Sequence, residues 1–357
     1  MPNFRQLAAC LSLKNRSFLE FPIVKNERRE NMEMLGNIAL LIVGFILLIK
    51  GADFFVEGSA SIAKILKVPS IVVGLTIVAM GTSLPELSVS VSAAINGSNE
   101  IAISNVVGSN IFNLIVVLGV CALFHAVPVD KQVLRRDYPF LIIITAALAL
   151  FMADIIKPWA DVEEGSAGIL SRLNSIIFLV VFAGYLIFTI KGALRDRKTN
   201  AEADDNEKPH SLLISIIFIV CGIIAIKFGG DFVVDSSKYI ALRIGMSETL
   251  VGLTIVALGT SLPELVTSMV AAKKGETSLA VGNVIGSNIF NIIFILGVSG
   301  TIHPIMVEKQ NLTDAVISLV LSIAVYFFAV SKRKIERREG IAMVSMYAVY
   351  MIYIILR

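Results

Sequence analysis

The chain of 357 residues is 56% hydrophobic and 17% charged, with a net charge of +3 and a mean hydropathy of +0.81. Because soluble domains carry about a quarter charged residues, this composition excludes a soluble globular protein. The three cysteines are scattered along the chain, at Cys10, Cys121 and Cys221, which excludes a disulfide framework and a cysteine-based metal site.

Ten apolar runs follow one another along the chain, and each is long enough for a membrane helix of roughly 20 residues. They predict an all-α polytopic membrane protein with ten transmembrane helices. The predicted spans are 35–62, 69–95, 98–124, 135–154, 174–194, 211–240, 247–273, 276–301, 311–331 and 340–356. The first and sixth runs exceed the thickness of a bilayer and have polar ends, so we expect them to tilt or to emerge from the membrane.

The polar segment 195–210 is the longest between two spans, and we interpret it as the linker between two halves, 35–194 and 211–357. With ten spans, the loops after spans 1, 3, 5, 7 and 9 lie on one side and contain 17 Lys and Arg residues, against six on the opposite side when the N-terminal segment is left out. Basic loops remain in the cytoplasm. We therefore expect a protein of the cell membrane with a cytoplasmic linker and both termini outside.

The N-terminal extension, residues 1–34, contradicts this orientation because it holds six Lys and Arg residues. We expect that translation begins at Met32 or Met34 and that residues 1–31 are not translated. A targeting segment is the alternative, although the stretch lacks the continuous apolar core of a signal peptide. Detection of residues 1–31 by mass spectrometry of the natively produced protein would contradict this expectation.

A second copy of the most distinctive sequence appears 178 residues after the first. VGLTIVAMGTSLPEL at 73–87 matches 251–265 at 14 of 15 positions, and NVVGSNIFN at 105–113 matches NVIGSNIFN at 283–291. Five spans, an odd number, separate the copies, so two inverted five-helix repeats are predicted. Such repeats are typical of secondary transporters, whose binding site lies near the midplane between the halves. A duplication retained for packing alone is the alternative.

Two glutamates, Glu86 and Glu264, lie inside apolar spans at equivalent positions of the repeat. An ionisable side chain at this depth costs several kcal/mol unless it faces a partner or a wet cavity, and it usually marks an ion pathway. The hydrophobic stretches around them contain no Lys, Arg or His. A bound cation is the simplest counter-charge, and the alternative is that both carboxyl groups are protonated and hydrogen-bonded.

Oxygen-bearing groups surround both glutamates in the sequence. Pro85 and Pro263 are expected to open the helix and to free carbonyl groups such as those of Ala79 and Ala257. Hydroxyl groups precede each glutamate by three or four residues, a spacing that shares one helix face. These are Thr82, Ser83, Thr260 and Ser261. Oxygen-only coordination is what Ca2+ and Na+ prefer, and no soft ligand for zinc or copper is present.

A polar stripe is predicted on the next span of each half. Ser109 and Asn113, like Ser287 and Asn291, are four residues apart and therefore project from one side of a helix. Glycine and serine in these segments also allow helices to approach closely without an ion. For the remaining asparagines of the two segments we expect a packing role; they are Asn105, Asn110, Asn283 and Asn288.

The GTSLPE and GSNIFN segments, in two inverted copies, resemble the alpha repeats of the Ca2+/cation antiporter superfamily, in particular prokaryotic Na+/Ca2+ exchangers. The resemblance covers the chain from residue 35. It implies that the glutamate of the first motif and the Ser and Asn of the second surround the ions, with carbonyl ligation from Ala79 and Ala257. The implied metal-binding side chains are Thr82, Ser83, Glu86, Ser109, Asn113, Thr260, Ser261, Glu264, Ser287 and Asn291.

The resemblance implies a secondary active antiporter that exchanges Na+ for Ca2+ by alternating access and normally extrudes Ca2+. We expect the long first and sixth spans to slide against the bundle that holds the site. Some members of the superfamily, including K+-dependent ones, carry Asp where this chain has Asn291, which disfavours K+ co-transport here. We expect a monomer in membrane lipid, with Na+ and Ca2+ as transported ions, no cofactor and no nucleic acid.

Four other functions are weighed against this one. A Ca2+/H+ antiporter and a K+-dependent Na+/Ca2+ exchanger are the nearest alternatives, because buried glutamates also carry protons and K+-dependent members share the motifs. A cation channel is disfavoured by the many small residues of the motifs. An intramembrane hydrolase is disfavoured because His125, His210 and His303 lie at span ends or in loops, away from both motifs; the chain is not expected to be an enzyme.

Overall fold

The protein is mostly helical in the part of the chain that the computed structural model describes, residues 20–97, 99–153, 167–199, 209–246 and 257–356. The first five helices are α1 Glu20–Leu66, α2 Ser70–Thr82, α3 Leu84–Ile95, α4 Asn99–Ile111 continuing to Leu118–Phe124, and α5 Tyr138–Met152 preceded by a turn at Val133–Asp137. The others are α6 Arg172–Thr199, α7 Leu212–Arg243, α8 Leu262–Lys273, α9 Thr277–Ile302, α10 Lys309–Lys332 and α11 Arg337–Leu356.

Seven of these helices are long and apolar enough to cross a membrane, and the bent pair of α2 and α3 brings the number to eight among the described residues. A multi-pass helical membrane protein is therefore confirmed. The predicted span 247–273 is covered only from residue 257, because 247–256 lie outside the described residues. The unusual length predicted for the sixth span is found in α7, which has 32 residues.

Two predicted spans differ most from the helices that the structure shows. The first begins at Glu20 rather than at 35 and has 47 residues, a length of about 70 Å at 1.5 Å per residue. It therefore reaches well beyond a bilayer. The predicted single span 69–95 is broken at Ser83, where α2 and α3 meet at a bend of 50°.

Four short strands lie in the loops of the described residues, and the prediction of a purely helical chain missed them. The strands are β1 Val127–Pro128, β2 Gly168–Leu170, β3 Ile305–Val307 and β4 Lys334–Ile335. β1 pairs with β4 and β2 pairs with β3, both antiparallel. Each pair joins a loop of one half to a loop of the other, so no local sequence pattern could reveal the partner.

The helices are arranged with the two motif-bearing helices inside. In an 18-residue apolar stretch of each helix, 94% of the residues are buried in α9 and 78% in α4, against 11% in α1 and 11% in α11. The outer helices expose Leu, Ile, Val and Phe side chains along their length, which in a membrane face lipid rather than water. The site residues on α4 and α9 are thus held in the centre of the bundle.

The two longest helices, α1 and α7, pack against each other backbone to backbone. A Cβ atom added at Gly222 would lie 2.8 Å from the carbonyl oxygen of Gly51 and 2.8 Å from the amide nitrogen of Phe55. No side chain fits such an approach, and small residues at helix crossings are how membrane helices reach this distance. The pair therefore forms one closely joined unit beside the bundle.

A second close crossing joins α2 to α9 next to the site. A Cβ atom added at Gly282 would lie 2.7 Å from the carbonyl oxygen of Ile71 and 3.0 Å from the Cα atom of Gly74. Both neighbours are backbone atoms, so they cannot rotate away as a side chain would. The crossing holds the helix of one motif against the helix of the other.

We predict that Gly282→Ala destabilises the protein by about 1–3 kcal/mol, because overpacking at this crossing forces the two backbones apart. The measurement is thermal unfolding in detergent. Gly184→Ala on α6 is the matched control, since nothing lies within 4 Å of its added Cβ atom and alanine favours a helix over glycine. Equal unfolding temperatures for the two variants would show that the crossing is not tightly packed.

Candidate ion-binding site

Each glutamate lies just after a break in its helix. Ser83 and Ser261 leave the helical conformation, with φ and ψ of −83° and 12° and of −91° and 4°. The next helix then begins with proline in its first turn, a position that needs no N–H group. Glu86 and Glu264 both lie in that first turn. The partial positive charge of a helix N-terminus stabilises a carboxylate placed there.

The serine at each helix break donates a hydrogen bond to the glutamate of the other half. Ser83 donates to Oε1 of Glu264 at 2.9 Å, and Ser261 donates to Oε1 of Glu86 at 3.3 Å. Ser109 on α4 also donates to Oε1 of Glu86, at 3.5 Å. Both carboxylates and all three serines are at most 2% exposed. The structure thus brings the two predicted half-sites into one buried centre.

Several oxygen atoms of this centre have no hydrogen-bond partner although they are buried. They are Oε2 of Glu86, Oε2 of Glu264, Oδ1 of Asn113, Oδ1 of Asn288 and Oδ1 of Asn291. Buried polar atoms without a partner are rare in proteins and indicate a missing ligand or a functional role. Four of these five atoms belong to residues that the sequence predicted as ion ligands.

The two polar stripes of α4 and α9 both face the centre, but they differ in detail. Asn291 donates to Oδ1 of Asn110 at 3.0 Å, which leaves its own Oδ1 free. Asn113 has neither a donor nor an acceptor partner. Ser287 lies 3.4 Å from the carbonyl oxygen of Ala79 and 3.5 Å from the hydroxyl of Thr82. The two halves therefore present similar ligands in different arrangements.

The expected release of the Ala79 carbonyl by Pro85 is not what the structure shows. The carbonyl oxygen of Ala79 accepts the N–H of Ser83 at 3.1 Å, because the helix remains intact up to Thr82. Pro85 lacks the N–H that would reach Gly81, four residues before it. The hydroxyl of Ser287 donates to the same oxygen at 3.4 Å, so an ion bound at Ala79 has to displace that long hydrogen bond.

The second half differs at the equivalent position. The N–H of Ser261 goes to the carbonyl oxygen of Leu258 at 3.2 Å, so Ala257 does not receive the bond that Ala79 receives. Thr260 is half-buried and lies 3.4 Å from Oδ1 of Asn105. The other described side chains among the predicted ligands are buried, so Thr260 is the most exposed of them.

Sequence reasoning missed a set of polar residues that support the centre. Asn105 donates to Ser90 at 2.9 Å, and Asn283 donates to Ser268 at 2.9 Å. A signal was present, because both copies of the repeat have a serine four residues after the glutamate. We predicted that these asparagines only pack between helices, and the structure shows that they also form hydrogen bonds.

Asn110 and Asn288 show how the halves are related. Asn110 donates to the carbonyl oxygen of Asn288 at 3.1 Å, and Asn288 donates to that of Asn110 at 3.0 Å. The two residues are equivalent in the repeat, and each donates its side-chain amide to the backbone carbonyl of the other. Such a reciprocal pair of bonds is what an interface with a two-fold axis contains. α4 and α9 thus cross at a local two-fold axis beside the carboxylates.

The centre has the chemistry of a site for hard cations. It combines two carboxylates with hydroxyl, amide and carbonyl oxygens, which are the ligands that Ca2+ accepts. Within the described part of the chain, neither glutamate forms an ion pair with Lys, Arg or His. Two buried negative charges without counter-charge are unfavourable, and a bound cation removes that cost.

Comparison with known proteins gives the same picture. A family model described as sodium/calcium exchanger protein matches residues 36–191 and 214–356. The sodium/calcium exchanger MaX1 of Methanosarcina acetivorans is 33% identical over 344 residues, which cover 88% of this chain and 97% of MaX1. The inner membrane protein YrbG of Escherichia coli is 33% identical over 277 residues, covering 76% of this chain and 81% of YrbG.

A solved structure is also similar. The sodium-calcium exchanger NCX_Mj, soaked with zero Na+ and Ca2+, matches with a TM-score of 0.75 and 31% sequence identity, covering 89% of this chain and 98% of NCX_Mj. The family model covers both halves of the chain, and MaX1 and NCX_Mj each match almost nine-tenths of it. The resemblance drawn from the two motifs is confirmed, and the chain belongs to the sodium/calcium exchanger protein family within the Ca2+/cation antiporters.

Proposed function

We propose that this protein exchanges Na+ for Ca2+ across the cell membrane by alternating access and normally extrudes Ca2+. The observation that carries the proposal is the group of buried oxygens without partners around two uncompensated carboxylates, Glu86 and Glu264. Ca2+ and Na+ both bind such oxygens. If the two ions use overlapping ligands, they compete for the site, and only one kind is carried in each direction.

The charge of the centre supports Na+ and Ca2+ as the two ions. One Ca2+ neutralises the two carboxylates, and Na+ ions of the same total charge do so as well. Asn113 and Asn291 add oxygens without adding charge. A third carboxylate, which would favour an additional K+ ion, is missing from the described residues around the centre. We therefore propose exchange without K+.

We further propose ten transmembrane helices in two inverted repeats, 35–194 and 211–357, preceded by the extension 1–34. The reciprocal contact of Asn110 and Asn288 supports a two-fold relation between the halves, and an odd number of spans per repeat makes that relation an inversion. The excess of basic residues favours a cytoplasmic linker at 195–210 and both termini outside. The proposed unit is a monomer surrounded by lipid.

The test is uptake of 45Ca2+ by proteoliposomes that contain the purified protein. An outward Na+ gradient is expected to raise uptake at least tenfold over vesicles with equal Na+ on both sides. An outward proton gradient at equal Na+ should have no such effect. Uptake driven by the pH gradient alone would identify a Ca2+/H+ antiporter, and uptake indifferent to both gradients would identify a channel. An additional requirement for K+ would place the protein with the K+-dependent exchangers.

A further inference from the structure

Asn283 on α9 lies between the two halves of the site. It is fully buried, and its amide donates to Ser268 of its own half at 2.9 Å. Its Oδ1 accepts the hydroxyl of Thr82, in the other half, at 3.0 Å. Because the amide group is fixed by Ser268, its oxygen is held facing Thr82. Asn283, which is not itself a predicted ligand, thus connects the helix of Glu264 to the predicted ligand Thr82 of the other half.

Thr82 has a choice of acceptors for its single hydroxyl proton. Besides Asn283, the carbonyl oxygen of Val78 lies at 3.1 Å and that of Ala79 at 3.3 Å. A hydroxyl group donates one hydrogen and accepts with its lone pairs. When the proton goes to Asn283, the nearest of these acceptors, the hydroxyl oxygen of Thr82 keeps its lone pairs on the side away from Asn283, and the carbonyl group of Ala79 accepts one donor fewer. When Asn283 is missing, the proton turns toward the two carbonyl groups.

The other half contains the equivalent arrangement in a looser form. Asn105 donates to Ser90 at 2.9 Å and to the carbonyl oxygen of Glu86 at 3.2 Å. Its Oδ1 lies 3.4 Å from the hydroxyl of Thr260, which is long for such a bond. The same three-residue connection is therefore present twice, and it is tighter around Asn283.

We propose that Asn283 and Asn105 are positioning residues of the ion site. Each accepts the hydroxyl proton of the threonine in the opposite half, so that the threonine oxygen keeps its lone pairs for the ion. They are not ligands themselves. The connection also links the two halves, since the ligand geometry of one half depends on an amide from the other. The inference rests on the proposed Na+/Ca2+ exchange at this site.

The first experiment replaces Asn283 by leucine, which has a similar size and forms no hydrogen bond. In Asn283→Leu we expect the Ca2+ concentration for half-maximal uptake to rise about tenfold, with the maximal rate within about a factor of two, because one hydrogen bond in the shell is lost while the carboxylates remain. Asn105→Leu should raise the Ca2+ concentration for half-maximal uptake less, by about threefold, because the hydrogen bond between Asn105 and Thr260 is longer. An equal half-saturating Ca2+ concentration in Asn283→Leu and the wild type would overturn the proposal.

The second experiment separates positioning from simple loss of stability. Asn311→Leu removes another buried asparagine with two hydrogen bonds, to Ser104 at 2.9 Å and from the N–H of Glu308 at 3.2 Å, away from the ion site. It is expected to lower the unfolding temperature without changing the half-saturating Ca2+ concentration. If Asn311→Leu raises the half-saturating Ca2+ concentration as much as Asn283→Leu does, the effect of Asn283→Leu is a general loss of structure, and the positioning role is contradicted.

The double variant of Asn283→Leu with Thr82→Val decides whether the asparagine acts through the threonine. If it does, Thr82→Val alone weakens Ca2+ binding and the second replacement adds nothing, because coupled residues are not additive. Two independent effects would multiply, and that result contradicts the proposal. Equilibrium binding of 45Ca2+ in detergent is measured beside uptake. Should the wild type bind Ca2+ but ignore the Na+ gradient, the proposed exchange fails while the binding data still test the role of Asn283.

Discussion

Replacement of Glu86 or Glu264 by glutamine is expected to lower Na+-driven Ca2+ uptake by more than a hundredfold. Each carboxylate is fully buried, bound through one oxygen by a serine of the other half, and free at its second oxygen. Glutamine keeps the shape but removes one of the two negative charges. The lost stabilisation of a buried divalent ion is about 3 kcal/mol or more, which corresponds to over two orders of magnitude in affinity.

Glu336→Gln is the control for this experiment. Glu336 lies in the loop before α11, where it pairs with Lys332 and Lys334 at 2.6 Å. These neighbours hold the pKa of its carboxyl at about 2, well below the usual value, so it is a charged glutamate outside the site. Its variant should transport Ca2+ at the wild-type rate. Wild-type uptake in both Glu86→Gln and Glu264→Gln would remove the basis of the proposed function.

The internal repeat made the location of the candidate site predictable. A shift of 178 residues aligns the motifs, and a polar sequence repeated at membrane depth has few explanations besides an ion pathway. The same alignment identified the two glutamates and the serines beside them. Composition made the membrane location predictable, because a charged fraction of 17% cannot cover a soluble surface.

The partners of those residues could not be predicted, because they depend on how the halves face each other. The spacing within one motif placed Ser83 on the same helix face as Glu86, but the hydroxyl of Ser83 goes to Glu264. The helix break at Ser83 interrupts the regular turn on which that spacing argument relied. The pairing of Asn283 with Thr82 spans 201 residues, and local periodicity carries no information about such a contact.

The proposed alternating access requires that some part of the protein moves past the site, and we infer from the packing that α1 and α7 are that part. These two helices contact each other through backbone atoms at Gly51 and Gly222, which resists separation. Their link to the bundle includes exposed ion pairs, such as Lys274 with Asp53 at 3.5 Å and with Glu57 at 3.5 Å. Exposed pairs contribute little to stability, so they can break and re-form during a cycle.

A disulfide between α7 and the short helical segment Ala257–Gly259, which precedes the helix break of the second half, is expected to stop exchange. A Cβ atom at Gly259 would lie 3.4 Å from Cβ of Val234, close to the separation in a disulfide. We predict that Val234→Cys with Gly259→Cys, oxidised in proteoliposomes, lowers the exchange rate more than tenfold. Reduction with dithiothreitol should restore the rate of the same preparation. The background replaces Cys10, Cys121 and Cys221 by alanine.

The matched control places a disulfide inside the pair of α1 and α7. The hydroxyl groups of Ser61 and Ser215 are 2.8 Å apart, so Ser61→Cys with Ser215→Cys brings two thiols together across these helices. If the pair moves as one unit, this crosslink leaves exchange intact, because it joins parts that do not separate. Equal inhibition by both disulfides would mean that α1 and α7 move against each other. Full exchange with the first disulfide closed would mean that α7 does not slide past the site, and the moving part would then have to lie within the bundle.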